Sequence, residues 1–159
     1  MRVRLTPATD AVFAWLLGEP ADPPPLRAPP GGLEEAWVLR WLRGNLAVLE
    51  GTGSWLMVDG DEVVGLCNYK GPPEADGVVE IGYAVAAAHR RRGYATAGVA
   101  ALIAKAVSDS RIRALSAETA LGNIASQRVL LANGFAATGR GFDRDEGEMI
   151  LWSLTLPQP

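Results

Sequence analysis

The stretch from Val78 to Asp109 constrains the fold more than any other part of the sequence. Residues Val78–Val85 are apolar on both alternating faces, which predicts a strand in the interior of a sheet. Three consecutive arginines follow, and Gly93–Asp109 then shows the apolar spacing of an amphipathic helix. The sequence therefore predicts a central strand that passes through a short basic loop directly into a helix.

Shorter patterns predict the other elements. Thr9 or Asp10 can cap a helix that runs through Leu17. Asp59-Gly60 is a typical hairpin turn between two strands. Strands are predicted over Arg2–Thr6, Ser54–Val58, Glu62–Tyr69, Ile112–Thr119, Phe135–Gly139 and Glu148–Thr155, and further helices over Leu33–Glu50 and Ala125–Asn133. The order β-α-α-β-β-β-α-β-α-β-β predicts an α/β fold with a mixed, mostly antiparallel sheet and helices on both faces.

Residues Glu19–Gly32 are predicted to lie outside helices and central strands. They hold 6 of the 11 prolines, and proline is excluded from helix interiors and central strands. The 18 residues before this segment are too few to fold alone, so we interpret it as a loop within one domain spanning residues 1–159. In the helix that follows, Leu33, Trp37 and Trp41 predict the buried stripe, with Val38, Leu42 and Leu46 beside it.

Composition excludes several classes of protein. The longest apolar run is too short for a membrane span, and the first residues lack the apolar core of a signal peptide, so we expect a cytoplasmic protein. One cysteine, Cys67, and one histidine, His89, do not make a zinc site, and we expect Cys67 to be buried and His89 to be a packing or surface residue. A net charge of −3 argues against nucleic acid as a partner.

The basic loop has the features of an anion site. Arg90, Arg91 and Arg92 precede the helix, Gly93 allows close backbone approach, and Ala95 keeps the first turn open. The first N–H groups of a helix lack internal partners and lie at the positive end of its dipole. A pyrophosphate is the ligand that this arrangement favours. From these residues alone, a solvated turn with Gly93 as a helix breaker stays equally open.

A second segment identifies a family. Arg90-x-x-Gly93-x-Ala95 and Asn123-x-x-Ser126, followed by Gly134-Phe135, together resemble the GCN5-related N-acetyltransferase superfamily. The predicted element order also resembles that fold, over nearly the whole chain. Within the superfamily, the Gly82-Tyr83 strand and the Asn-x-x-Ser helix resemble the branch of the ribosomal-protein N-terminal acetyltransferases.

The resemblance implies acetyl-CoA as co-substrate and no metal. It places the pantetheine on the strand backbone, the pyrophosphate on the loop and helix start, and the thioester near the second motif. The implied cofactor-binding residues are Tyr83, Ala84, Val85, Ala86, Arg90, Arg91, Arg92, Gly93, Tyr94, Ala95, Thr96, Asn123 and Ser126. The resemblance further implies that an amine attacks the thioester directly and that a strand N–H near Val85 or Ala86 stabilises the oxyanion.

Two residues are candidates for proton transfer. Glu80 stands where some members of the superfamily carry a general base, although a strand-end carboxylate facing water is an equal alternative. Many members donate a proton to the leaving thiolate from a tyrosine seven residues after the helix asparagine, but here that position is Leu130. Ser126 is our candidate donor, with N-terminal helix support as the alternative. Tyr83 and Tyr94 are more remote substitutes.

The acceptor is expected to be a primary amine, of a small molecule or of a protein N-terminus. Residues 1–80 hold 6 basic and 12 acidic side chains, which suits a cationic acceptor. Asp143, Asp145, Glu146 and Glu148 either bind that cation or form a solvated turn, and Trp37 or Trp41 is a candidate lining residue of the acceptor cleft. A monomer or homodimer is expected, with neither nucleic acid nor a membrane as partner. A non-catalytic acyl-CoA-binding module is the alternative function.

Overall fold

The structure is a computed structural model that describes residues 2–49 and 53–158. Seven strands and four helices follow one another in the predicted order, with a short 3-10 turn over Ala87–His89. The strands are β1 Arg4–Pro7, β2 Ser54–Asp59, β3 Glu62–Tyr69, β4 Val78–Val85, β5 Ala114–Ala120, β6 Ala136–Asp143 and β7 Gly147–Thr155. The helices are α1 Asp10–Leu16, α2 Ala36–Asn45, α3 Tyr94–Val107 and α4 Ile124–Ala132.

All seven strands belong to one sheet in the order β1-β2-β3-β4-β5-β7-β6. Neighbouring strands are antiparallel except for β4 and β5, which are parallel and are connected through α3. The predicted α/β class and the mixed, mostly antiparallel sheet are therefore confirmed. The prediction that Val78–Val85 is the central strand is also confirmed, because β4 has three strands on each side.

The core has one layer on each face of the sheet. Against α3 and α4, the buried residues include Val99, Leu102, Leu115, Leu130 and Trp152. Against α1 and α2, they include Phe13, Leu39, Leu42, Leu56 and Leu66. The strand residues of this second layer come from β2 and β3, so α1 and α2 pack on that end of the sheet. Helices on both faces are thus confirmed, and the two faces are covered unequally.

The predicted helix over Leu33–Glu50 was wrong in its extent, and the two tryptophans predicted for its buried stripe are exposed. Helix α2 spans Ala36–Asn45, and Glu50 lies outside the described residues. Trp37 and Trp41 are 67% and 51% exposed, whereas Leu39 and Leu42 are each 3% exposed. Leu39 lies about 200° around the helix from Trp37, so the leucine and tryptophan stripes point in nearly opposite directions. The leucines pack on the sheet and the indoles face outward.

Other boundaries moved by a few residues. Thr9 is the N-cap of α1, and its side chain accepts from the Val12 N–H. The last hairpin is longer than predicted, because β6 continues to Asp143 rather than ending at Gly139. Residues 19–32 lie outside helices and strands, apart from a single bridge between Arg27 and Glu62. In residues 2–49 and 53–158, no helix has the length and hydropathy that crossing a membrane requires.

A glycine in β3 sets how closely β3 and β4 approach. A Cβ built on Gly65 would lie 2.6 Å from the Ala84 carbonyl oxygen, so Gly65→Ala must push the two strands apart. We expect this substitution to lower the free energy of unfolding by about 1–3 kcal/mol, measured by urea denaturation. Gly44→Ala is the matched control: it meets nothing within 4 Å in α2 and should stabilise by about 0.5–1 kcal/mol. Equal stability of the two variants would contradict this account of Gly65.

Candidate functional site

The parallel pair β4–β5 separates after three residue pairs. Val78, Val79 and Glu80 pair with Ala114, Leu115 and Ser116, and no pairing continues beyond them. Strand β4 nevertheless stays paired with β3 as far as Val85, and β5 stays paired with β7 as far as Ala120. The sheet therefore divides between its two middle strands, which leaves one edge of β4 open from Ile81 onward.

The register of β3 and β4 determines which backbone groups face this opening. The Ala86 N–H donates to the Val64 carbonyl and the Lys70 N–H donates to the Glu80 carbonyl, each at 2.8 Å. Backbone groups of an antiparallel strand alternate between its two edges, so residues 80, 82, 84 and 86 point toward β3. The backbone groups of Ile81, Tyr83 and Val85 point into the opening.

This alternation corrects part of the sequence interpretation. The N–H of Ala86 donates to the Val64 carbonyl, so the expectation that it stabilises an oxyanion is wrong. Of the two candidate N–H groups, only that of Val85 faces the opening. The backbone of Ala84 likewise faces β3 rather than the opening. The Val85 carbonyl accepts from Arg90 Nε at 3.4 Å, which ties the basic loop to the end of β4.

The basic loop turns sharply into α3. Gly93 is the N-cap with φ 82°, and Arg91 also adopts a positive φ of 63°, which is uncommon outside glycine. The Ala97 N–H donates to the Gly93 carbonyl at 3.1 Å, so the N–H groups of residues 94–96 precede the hydrogen-bonded part of the helix. They point out of the positive end of the helix dipole, as an anion site requires.

The opening and the helix start form one cavity of about 770 Å³. Eleven predicted cofactor-binding residues line it: Tyr83, Ala84, Val85, Arg90, Arg91, Gly93, Tyr94, Ala95, Thr96, Asn123 and Ser126. Ala86, which is fully buried, and Arg92 do not line it. The described lining includes three arginines, Arg90, Arg91 and Arg128, and no carboxylate. An anionic ligand is therefore favoured electrostatically.

Sequence reasoning missed several lining residues. Ala125, Arg128, Val129 and Ala132 lie on one face of α4, and His89 precedes the arginines. The α4 residues have the i, i+3, i+4, i+7 spacing of a helix face, and extending that spacing from the Asn-x-x-Ser motif would have found them. The small side chains of Ala125 and Ala132 leave the cavity open, and Arg128 adds positive charge to it.

The second motif begins α4 and joins it to β4. Asn123 is the N-cap, and its Oδ1 accepts from the Ser126 N–H at 3.2 Å. The Ser126 hydroxyl contacts β4: its Oγ lies 2.6 Å from Tyr83 Oη, and either oxygen can be the donor. The Tyr83 hydroxyl can alternatively donate to the Ser126 carbonyl at 3.2 Å. Burial raises the pKa of Tyr83 and the Ser126 bond partly opposes the rise. The phenol thus stays protonated at neutral pH.

The remaining candidate proton donors are placed differently from the sequence interpretation. Tyr83 is in direct contact with Ser126 rather than remote from it. Tyr94 donates to Asp59 Oδ2 at 2.8 Å, so its hydroxyl is directed to the β2–β3 hairpin. Leu130 is fully buried in the core, so a hydroxyl at that position would displace packing. Tyr83 and Ser126 are the paired hydroxyls of the cavity.

Glu80 lies on the other face of the sheet. Side chains alternate along β4, and Val79, Ile81, Tyr83 and Val85 face α3 and α4, so Glu80 faces away from the cavity. Its carboxylate Oε2 is 2.7 Å from Lys70 Nζ, and the two side chains are 35% and 41% exposed. Glu80 is therefore a partly exposed carboxylate with an ammonium partner, at the point where β4 and β5 separate.

Asp143 and Cys67 were also singled out in the sequence. Asp143 accepts from the N–H groups of Asp145 and Glu146 at 2.8 and 2.9 Å, which lower the pKa of its carboxyl, with a smaller contribution from the charge of Lys70. It therefore shapes the β6–β7 turn. Cys67 is buried, as predicted, and burial raises the pKa of its thiol to about 12.

His89 is buried, so of the two predicted alternatives it is a packing residue and not a surface residue. It packs edge-on against Tyr94 with 5.8 Å between ring centroids, and its Nε2 lies 3.5 Å from Glu62 Oε1. The ring thus fixes the loop against the β2–β3 hairpin. In residues 2–49 and 53–158, no cluster of three or more His, Cys, Asp or Glu side chains is arranged to hold a metal ion.

Comparisons with known proteins agree with this arrangement. A sequence model of the acetyltransferase (GNAT) domain matches residues 2–136. The chain is 35% identical over 88 residues to a protein described as the uncharacterized N-acetyltransferase YjdG of Bacillus subtilis (strain 168). This match covers 54% of the chain and 52% of that protein, so the chain spans about half the length of this curated relative.

Solved structures share the fold at low sequence identity. RimL, a ribosomal L7/L12 alpha-N-protein acetyltransferase in complex with coenzyme A, has a TM-score of 0.74 at 16% identity, with 98% of this chain and 95% of that chain covered. AAC(6')-Ib in complex with paromomycin and acetyl-CoA has a TM-score of 0.73 at 20% identity, with 98% and 94% covered. A spermidine N-acetyltransferase chimera of SpeG from Vibrio cholerae and hSSAT has a TM-score of 0.72 at 10% identity, with 98% and 96% covered.

Proposed function

The chain belongs to the acetyltransferase (GNAT) domain family, and from this premise we propose that it transfers the acetyl group of acetyl-CoA to a primary amine. The observation that carries the proposal is the separation of β4 from β5 beside the open N-terminus of α3. This separation supplies free strand backbone, helix N–H groups without an intrahelical partner and a gap between the two middle strands in one place. A thioester, a pyrophosphate and an approaching amine each find a matching group there.

In this proposal, acetyl-CoA lies in the cavity on the α3–α4 side. Its pyrophosphate accepts from the N–H groups of residues 94–96 and is neutralised by Arg90, Arg91 and Arg128. Its pantetheine pairs with the free edge of β4, mainly at Tyr83, since the Val85 carbonyl already accepts from Arg90. Solved relatives in the same fold hold coenzyme A or acetyl-CoA, which supports this choice of co-substrate.

The acceptor amine then approaches from the opposite face. That face carries Glu80 on β4 and the exposed Glu118 on β5, one on each side of the opening. Both carboxylates favour a cationic amine, and in this proposal Glu80 takes the proton that the amine loses. Holding amine and thioester together through the sheet supplies much of the rate acceleration. Relatives that act on a ribosomal protein N-terminus and on small polyamines share the fold, and both kinds of acceptor are consistent with this face.

The leaving thiolate takes its proton from the Ser126–Tyr83 pair in this proposal. Ser126 and Tyr83 both line the cavity, and their hydroxyl oxygens are 2.6 Å apart. Because the Tyr83 phenol stays protonated, it can donate to Ser126 as Ser126 donates to sulfur. The free N–H of Val85 is the group that would stabilise the oxyanion.

Binding of acetyl-CoA at the loop is tested with two variants that are matched in shape and differ in charge. Gly93→Asp and Gly93→Asn have nearly the same shape, and both residues tolerate a positive φ, so they differ mainly in charge at the pyrophosphate. We expect acetyl-CoA affinity, measured by calorimetry, to be at least about tenfold weaker for Gly93→Asp than for Gly93→Asn. Similar affinities for the two would overturn the assignment of the pyrophosphate to this loop.

Removing either hydroxyl of the Ser126–Tyr83 pair should slow the reaction without weakening acetyl-CoA binding. A proton donor acts mainly in the transition state, so Ser126→Ala and Tyr83→Phe should each lower kcat by about tenfold or more. Because the two act in series, the double variant should lose little beyond either single one. Steady-state release of coenzyme A with a panel of amines measures this, and additive losses would show independent roles.

Glu80→Gln should reduce turnover most at neutral pH. A base is needed while the acceptor is protonated, and the need falls as pH approaches the acceptor's own pKa, about 7.7–8.0 for an α-amine and 10.4 for a lysine-type amine. The deficit should therefore shrink as pH rises, while Glu74→Gln in the β3–β4 turn leaves the rate unchanged. A deficit constant from pH 7 to 10 would assign Glu80 a positional role. Acetyl-CoA binding without coenzyme A release for any amine would point to a non-catalytic acyl-CoA-binding module.

A further inference from the structure

Lys70 stands on the open face of the sheet at the start of the opening. It follows β3 directly, and its backbone N–H donates to the Glu80 carbonyl at 2.8 Å. Its Nζ lies 2.7 Å from Glu80 Oε2. Glu80 is the last β4 residue that pairs with β5, so the ammonium of Lys70 is held at the edge of the opening.

The Lys70 side chain runs along β4 over a glycine. A Cβ built on Gly82 would lie 3.3 Å from Lys70 Cε, so the missing side chain of Gly82 leaves room for the lysine to lie close to the strand. Gly82 is adjacent to Tyr83, whose backbone faces the opening and whose hydroxyl contacts Ser126. Lys70 and the Tyr83 side chain therefore lie on opposite faces of the same part of β4.

The charge of Lys70 also acts on the β6–β7 turn. It contributes to lowering the pKa of Asp143 in the β6–β7 turn, after the two backbone N–H donors of that turn. The lysine side chain is 41% exposed and contacts Glu80 on the face that the proposed function assigns to the acceptor. A primary amine of the chain itself therefore lies where that proposal puts the approaching external amine.

We propose that Lys70 is an internal acetyl acceptor, so that the chain acetylates its own Lys70 when no external amine occupies the opening. The inference rests on the proposed function, because it uses the same acetyl-CoA site and the same carboxylate. Lys70 Nζ and Glu80 Oε2 already have the contact that an acceptor amine and its base require.

The transfer balances without any further reactant. Glu80 takes a proton from the Lys70 ammonium, and the neutral Nζ attacks the carbonyl carbon of the thioester. The new N–C bond forms, the C–S bond breaks, and the thiolate of coenzyme A takes a proton from the Ser126–Tyr83 pair. Nζ loses a second proton to solvent as the amide forms, the Ser126–Tyr83 pair regains a proton from solvent, and Glu80 releases the proton that it took. The products are Nε-acetyl-Lys70 and coenzyme A, with one net proton released. The acetylated side chain is uncharged, so the ion pair with Glu80 is lost and the carboxylate becomes free for an external amine.

The chain provides a matched control, because Lys70 and Lys105 are its two lysines. Lys105 is an exposed residue of α3, with its Nζ 5.4 Å from the centre of the Trp55 ring, and it reports chemical acetylation in solution. The full chain is incubated with deuterated acetyl-CoA and no amine, and peptide mass spectrometry follows the label on each lysine. Since presentation within one molecule is worth orders of magnitude in effective concentration, we expect Lys70 to be labelled at least about tenfold faster than Lys105.

Two further arms sharpen the test. Lys70→Arg keeps the positive charge beside Glu80 but offers no nucleophilic amine. The total label on the chain should therefore fall to the amount that Lys105 carries, whereas Lys105→Arg should leave the label on Lys70 unchanged. The first-order rate of Lys70 labelling should not depend on protein concentration, because each chain modifies itself. Equal labelling of both lysines, or a rate proportional to protein concentration, would overturn the inference.

The same preparations separate this inference from the proposed function. Coenzyme A released with external amines, together with an unlabelled Lys70, would reject the internal acceptor and leave the acetyltransferase activity standing. Absence of acetyl-CoA binding, measured by the shift in melting temperature, would reject both. Labelled Lys70 without turnover of any external amine would support the inference and would show that none of the tested amines is an acceptor.

Discussion

The divergence of β4 from β5 is the constraint on which the rest of the site depends. A parallel pair normally continues to the ends of its strands, but here three residue pairs are made and the strands then separate. Strand β4 can leave β5 without unravelling because β3 holds its other edge as far as Val85. Unpaired backbone groups are costly when they are buried, so a sheet open in its middle implies that something else satisfies the free edge.

Polar contacts between distant segments hold the walls of the opening in place. Tyr83 and Ser126 connect β4 to α4, and Tyr94 connects the start of α3 to Asp59 on the β2–β3 hairpin. Asn133, the C-cap residue of α4, donates from its Nδ2 to the Thr96 carbonyl at 3.2 Å. Each contact ties a helix end to a neighbouring element. The geometry needed for binding is therefore largely formed in the free chain, which reduces the ordering that a ligand must impose.

Local patterns predicted the fold well, and they predicted the site in part. The strand-loop-helix segment could be interpreted because an apolar run, three arginines and Gly93 act over adjacent residues. The buried face of helix α2 could not be predicted, because tryptophan and leucine stripes overlap in its sequence and the number of hydrophobic residues does not decide which face packs inward. The position of Lys70 at the opening could not be predicted for a different reason. Its place beside Glu80 is set by the register of β3 against β4, and the Tyr83–Ser126 contact joins residues 43 apart.

The sheet of two halves joined by three residue pairs also bears on the order of folding. The β2–β3 hairpin and the β6–β7 hairpin bring together residues close in sequence, whereas the β4–β5 register joins residues such as Val78 and Ala114 across the whole of α3. Contacts between distant residues form late because closing the intervening chain costs entropy. We therefore expect the two hairpins to form first, and the β1–β2, β4–β5 and β5–β7 pairings, which join distant residues, to form after them. The opening comes into existence when β4 pairs with β5. A co-substrate that touches β4, α3 and α4 at once would bind only after that step, and would hold the two halves of the sheet together from then on.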